Sequence, residues 1–120
     1  MAKILIVDDV LIMRNILRVM LEKVGHEIVG SATNGVESLQ MYRELKPDLV
    51  TMDIQMEGGD GMTYLEKIIQ LDPAARVIMV STLGQKEKGK EALKLGAVGY
   101  VTKPFQAEML LKETQKALVK

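Results

Sequence analysis

Four short apolar runs each stop abruptly on a polar residue, and this pattern constrains the fold more tightly than anything else in the sequence. The runs are Ile4 to Val7, Leu49 to Met52, Val77 to Val80 and Val98 to Val101. They are continuous rather than alternating, as expected of strands buried on both faces of a parallel sheet. A fifth, weaker run is Glu27 to Val29. Between the runs the apolar spacing becomes helical. Met13, Ile16, Leu17, Met20, Leu21 and Val24 fall on one face and are closed by Gly25. Comparable segments are Val36 to Leu45 before Lys46-Pro47, Met62 to Leu71 before Asp72-Pro73, and Ala107 to Val119. Lys86 to Leu95 is the weakest helix, carrying six charges and Gly89 before Gly96.

Five strand-then-helix units with short loops, joined by right-handed crossovers, give a doubly wound α/β fold: a five-stranded parallel sheet with five helices distributed over both faces. The 120 residues are expected to form a single domain, 1–120, with no second or output domain. No cysteine is present, which excludes disulfides, thiolate zinc sites and cysteine nucleophiles and fits a reducing, cytoplasmic setting. Sixteen basic residues balance sixteen acidic ones, so bulk charge points to no nucleic acid and no membrane surface. One Phe, three Tyr and no Trp leave nothing for an aromatic stacking platform. The nine methionines are expected to pack the core, with Met13, Met20, Met52 and Met79 on its faces.

The chemistry lies at the carboxyl ends of the strands. Val7 hands over to Asp8-Asp9, Met52 to Asp53, Val80 to Ser81-Thr82, and Val101 to Thr102-Lys103-Pro104. In an open parallel sheet those ends converge on one crevice. Three carboxylates, a hydroxyl and an ammonium are therefore expected together, and the carboxylates need protons or a cation to relieve their repulsion. An all-oxygen site with few protein ligands suits Mg²⁺. The lysine completes a place for a phosphoryl group, whose transfer depends on positioning and charge neutralisation. Taken singly, each element has a plainer reading: helix cap for the aspartate pair, turn residue for Asp53, backbone-bonded hydroxyls for Ser81 and Thr82, solvated cation for Lys103. Their conjunction at four strand ends does not.

In these motifs the chain resembles the receiver domain of two-component response regulators, and most nearly the single-domain chemotaxis regulators of the CheY type. The resemblance rests on Ile4 to Asp9, Asp53, Asp60-Gly61, Ser81, and Gly99-Tyr100-Val101-Thr102-Lys103-Pro104-Phe105. The flavodoxin-like strand order 2-1-3-4-5 belongs to the resemblance and is not an independent deduction. It implies that Asp53 is nucleophile and phosphoacceptor, Asp9 a direct Mg²⁺ ligand and Asp8 a ligand acting through water. Asp53 and the backbone carbonyl of Gln55 complete the protein's share of the metal set, with Mn²⁺ as a substitute ion. Lys103 and the backbone N–H of Thr82 would hold phosphoryl oxygens. Ser81 would swing toward another, and Tyr100 would turn inward as it does. The Lys103-Pro104 peptide is expected to be cis.

The same resemblance implies a sensor histidine kinase as phosphodonor and an output protein such as the flagellar motor switch as target. It also implies a dedicated phosphatase and a monomeric state, and it makes the chain a signalling domain that modifies only itself rather than an enzyme. Two rivals share the pocket: a receiver that drains phosphoryl groups as a sink, and a Mg²⁺-dependent phosphohydrolase. Against the second stands Gln55, where a second acid would be required. Glu57-Gly58-Gly59 replaces the family's usual proline, which should loosen that loop and make it more acidic. Thr82 replaces a small residue and should narrow the approach to Asp53. His26 is expected at the surface, far from the acids. Lys86, Lys88, Lys90 and Lys94 read either as a solvated face or as part of a docking surface.

Overall fold

The computed structural model describes residues 2–56, 59–82, 86–104 and 106–119. Glu57, Gly58, Phe105 and the Lys86 side chain, to which the sequence attaches expectations, lie outside the described residues. The elements in chain order are β1 Lys3–Val7, α1 Leu11–Lys23, β2 Glu27–Ala32, α2 Gly35–Leu45 and β3 Leu49–Asp53. There follow β4 Gln55–Met56, β5 Gly59–Asp60, α3 Gly61–Leu71, β6 Val77–Thr82, α4 Lys86–Leu95, β7 Gly99–Lys103 and α5 Ala107–Val119.

One parallel sheet runs in the order β2-β1-β3-β6-β7. Counting only its own strands, this is the expected order 2-1-3-4-5. The pair β4-β5 is a separate antiparallel hairpin, Gln55 opposite Asp60 and Met56 opposite Gly59, that no apolar run announces. Strand pleating sends alternate residues to opposite faces. Leu5, Val7, Val50, Met52, Val77 and Met79 meet α2, α3 and α4 on one side. Ile4, Ile6, Leu49, Ile78, Val80 and Val101 meet Leu17 and Leu21 of α1 and Leu110 of α5 on the other. Both faces are covered, so the central strands are apolar along most of their length, Thr51 excepted, and turn polar only at their carboxyl ends.

Several boundaries differ from the sequence pattern. β7 begins at Gly99, because Val98 sits exposed in the turn after α4, and it runs on through Lys103. β2 extends to Ala32. α1 begins at Leu11, before its buried face starts. Met52 and Met79 are fully buried, but Met13 and Met20 are only half-buried, while Met56 and Met62 join the core instead. His26 lies at the surface as expected, although partly covered. Its Nδ1 accepts from the Ala2 N–H at 3.3 Å, and burial together with the nearby N-terminal charge lowers its pKa.

Local chemistry explains the helix starts nearest the crevice. Asn34 caps α2 by accepting from Glu37 N at 2.9 Å, and Glu37 in return accepts from Thr33 N at 2.7 Å. Asp60 caps α3 by accepting from Met62 N at 2.8 Å. A side chain at Gly61 would collide with the Asp53 carbonyl, so only glycine lets α3 start this close to the end of β3.

Candidate functional site

The register of the sheet brings the polar strand ends level. Val7 pairs with Met52, Asp53 with Val80, Ser81 with Thr102, and Thr82 with Lys103. Asp8, Asp9 and Asp53 thereby converge, each offering a carboxylate oxygen, with all three oxygens within 4.8 Å of one another. Asp8 is 1% exposed and Asp53 4%, while Asp9 is half-buried.

Lys103 reaches in from the end of β7. Its Nζ lies 3.0 Å from Asp8 Oδ2 and 3.4 Å from Asp53 Oδ2. The other oxygen of Asp8 accepts from the Val10 N–H at 2.9 Å, so this carboxylate is held at both ends. Asp53 is pushed up to about 6, first by burial. Lys103 opposes that rise, Asp8 adds to it, and a main-chain hydrogen bond from Gln55 opposes it again. Lys103 is shared between Asp8 and Asp53, and one ammonium does not neutralise both.

Such a donor set fits Mg²⁺: oxygens only, close together, with two of the carboxylates withdrawn from water and short of positive charge. Ser81 is fully buried, and its hydroxyl donates to the Val101 carbonyl at 3.5 Å, the outer limit of a hydrogen bond. Thr82 ends β6 with its side chain exposed. Tyr100 is half-buried, its ring packed on Gly89 of α4, where an added Cβ would lie 2.6 Å from Cδ2. The Lys103-Pro104 peptide is cis.

Two residues with a part in this arrangement carry no signal in the sequence pattern. Arg14 Nη1 donates to the Asp8 carbonyl at 2.7 Å, a contact from α1 back onto the loop before it. Gly89, which reads in sequence as a defect in α4, is the slot that admits the Tyr100 ring. The motif spacing that found the acids has no counterpart for either.

This fold with its acidic crevice is that of a signalling domain: residues 4–115 match the family model described as "Response regulator receiver domain". The chain belongs to that family. Among curated relatives, the chemotaxis protein CheY of Bacillus subtilis is 45% identical over 116 residues, covering 97% of each chain. That of Thermotoga maritima is 42% identical over 95% of each chain, and that of Halobacterium salinarum 51% identical over 88% of each.

Among solved structures, the CheX–CheY–BeF₃–Mg²⁺ complex from Borrelia burgdorferi superposes with a TM-score of 0.93 at 34% identity. The match covers 98% of this chain and 90% of that one. The chain is thus a response-regulator receiver domain closely related to the CheY chemotaxis regulators, and the phosphohydrolase reading is not favoured. Among the described residues no helix is long and apolar enough to cross a membrane.

Proposed function

We propose that the domain accepts a phosphoryl group on Asp53 from the phosphohistidine of a sensor kinase. The carboxylate oxygen forms the new bond to phosphorus while the nitrogen–phosphorus bond breaks, its electron pair staying on the imidazole. The observation that carries this is Asp53 itself: buried, raised to about 6, and 3.4 Å from a lysine. Burial makes it more basic than an ordinary aspartate, which suits a nucleophile. Asp8, Asp9, Asp53 and the Gln55 carbonyl would hold Mg²⁺, with Mn²⁺ able to replace it. The ion supplies neutralisation of the charge gathered on the phosphoryl oxygens. Lys103 and the Thr82 N–H hold those oxygens.

Transmission rests on Ser81 and Tyr100. The Ser81 hydroxyl is bound so loosely to Val101 that a phosphoryl oxygen offers it a better acceptor. Its departure frees space toward Tyr100. That ring borders a groove of about 670 Å³ lined by Leu93, Val98, Tyr100, Met109, Glu113 and Lys116 between α4, β7 and α5. This face is the docking surface for an output protein such as the flagellar motor switch. A phosphatase is a further partner; the Borrelia CheY in its solved complex binds a second protein, CheX, which supports a receiver of this kind having protein partners. Lys88, Lys90 and Lys94 add positive charge along α4.

The test is incubation with a small-molecule phosphodonor and Mg²⁺, followed by intact-mass measurement. The wild type should gain one phosphoryl group and Asp53→Asn none. Labelling of Asp53→Asn at the wild-type rate would remove Asp53 from the role.

A further inference from the structure

The loop carrying Asp8 and Asp9 leaves β1 and enters α1 without any side-chain cap on the helix. It is nevertheless closely tied down. The Asp8 N–H donates to Ala32 O at 3.1 Å, and the Asp8 carboxylate is held by Val10 and Lys103. Its carbonyl is gripped from the opposite direction by Arg14, one helical turn on, at 2.7 Å. Arg14 is half-buried, and its main-chain N–H closes the first turn of α1 on Val10 O at 3.1 Å. The same guanidinium adds a small part to the lowering of the Glu37 pKa, which the Thr33 hydrogen bonds cause first, so it favours the ionised carboxylate. Arg14 therefore reaches from the first turns of α1 back onto the main-chain carbonyl of the acid-bearing loop, without touching a carboxylate oxygen of Asp8 in the contacts described.

We infer that Arg14 is a positioning residue for the metal site, fixing the Asp8–Asp9 peptide and so the direction in which Asp9 presents its carboxylate. A peptide unit is planar, so anchoring its oxygen fixes the orientation of the whole unit and leaves the next residue one fewer rotation. Asp8 is anchored through its own carboxylate as well. Asp9 follows on the far side of the peptide whose oxygen Arg14 holds, so its backbone starts from a fixed plane. The inference rests on the reading of the three aspartates as a Mg²⁺ site.

Charge and geometry make opposite predictions here, which allows a clean test. A guanidinium near three carboxylates repels a dication. If charge were its whole effect, removing it would tighten Mg²⁺ binding. If it positions the ligands, removing it weakens binding, by about tenfold or somewhat more as for other groups that orient metal ligands from behind. Arg14→Lys keeps the charge and one donor and should fall between.

Mg²⁺ is titrated without phosphodonor, by calorimetry and by the amide NMR shifts of Asp9 and Asp53, into wild type, Arg14→Ala, Arg14→Gln and Arg14→Lys. Urea unfolding without metal is measured alongside. Tyr42→Phe, which loses the remote 2.8 Å bond to Asp72, controls for stability alone and should leave Mg²⁺ affinity unchanged. The expected result is about tenfold weaker binding in Arg14→Ala and Arg14→Gln, with part recovered in Arg14→Lys. Equal or tighter binding in the first two, with normal binding in wild type, overturns the inference alone. A wild type that binds no Mg²⁺ overturns the metal reading and the inference with it.

Discussion

The two helices that flank the crevice, α1 and α4, are anchored in opposite ways. α1 drives Leu17 and Leu21, both fully buried, into the core and adds the Arg14 bond to Asp8. Among its described side chains α4 buries only Gly89 and Ala92. Two leucines contribute roughly 1.5–3 kcal/mol each on burial, whereas an alanine methyl contributes about 0.8 kcal/mol and a glycine no side-chain burial at all. The acidic side of the pocket is thus built on a firmly seated helix and the hydroxyl side beside a shallowly seated one. Elements that shift on signalling are drawn from the least stable parts of a fold. Here the loop that carries Asp8 and Asp9 leads into the fixed helix, and the lightly held one borders the groove between α4, β7 and α5.

The sharpest way to break this comparison is to truncate each anchor. Leu21→Ala should destabilise by about 2–5 kcal/mol. Ala92→Gly should cost only about 1–2 kcal/mol, from lost helix propensity and one methyl. Urea unfolding of both variants measures this, and native-state amide exchange should show α4 opening at lower free energy than α1 in the wild type. Equal losses, or equal protection of the two helices, would mean that α4 is seated as deeply as α1.

A smaller effect follows from the acidic side. Asp53, raised to about 6, lies above its unfolded value of about 3.9. Between those pH values the folded chain binds more protons than the unfolded one, so stability falls as pH rises from about 4 to about 6 and is level above. A two-unit shift corresponds to about 3 kcal/mol, reduced to about 1–2 kcal/mol for screening at the mouth of the pocket. In metal-free buffer Asp53→Asn should lack this fall and exceed the wild type by that amount at pH 7.5, with little difference near pH 4. Saturating Mg²⁺ should return the wild type most of what it lost. Parallel pH profiles for the two proteins would show that Asp53 ionises at no cost.

Much of this asymmetry was legible in the sequence and some was not. Continuous apolar runs located the strands because both faces of the sheet are covered, and their polar ends located Asp8, Asp9, Asp53, Ser81 and Lys103 together. The runs still misplaced strand ends. Asp53, Ser81, Thr82 and Lys103 lie within the ladders, because backbone pairing continues past the last apolar side chain. Val98, though apolar, belongs to a turn. Leu11 and Ile12, 62% and 65% exposed, hid the start of α1, since helical periodicity marks only buried positions. Arg14 and Gly89 act through contacts set by tertiary approach. Each looks ordinary in its own helix, a surface cation in one case and a weak spot in the other.

The finest test concerns Gly89 and Tyr100, which bring α4 and β7 into contact. In an exposed helix, glycine to alanine would gain about 1 kcal/mol of helix stability. Here the new methyl would sit 2.6–2.9 Å from three atoms of the Tyr100 ring, closer than van der Waals contact allows, so either the ring or the helix must give way. α4 is lightly anchored and Tyr100 is only half-buried, so the adjustment should be modest in energy but directed: the ring is displaced from the slot. Gly89→Ala should therefore be neutral or destabilising by up to about 1 kcal/mol in the wild type. In a Tyr100→Ala background the obstruction is gone, and the same substitution should stabilise by about 1 kcal/mol, an interaction energy readable from a double-mutant cycle. The Tyr100 ring resonances should also shift in Gly89→Ala alone. Additive stabilities with unmoved ring signals would show that the glycine makes room for nothing, and that the shallow seating of α4 is unrelated to the position of the Tyr100 ring.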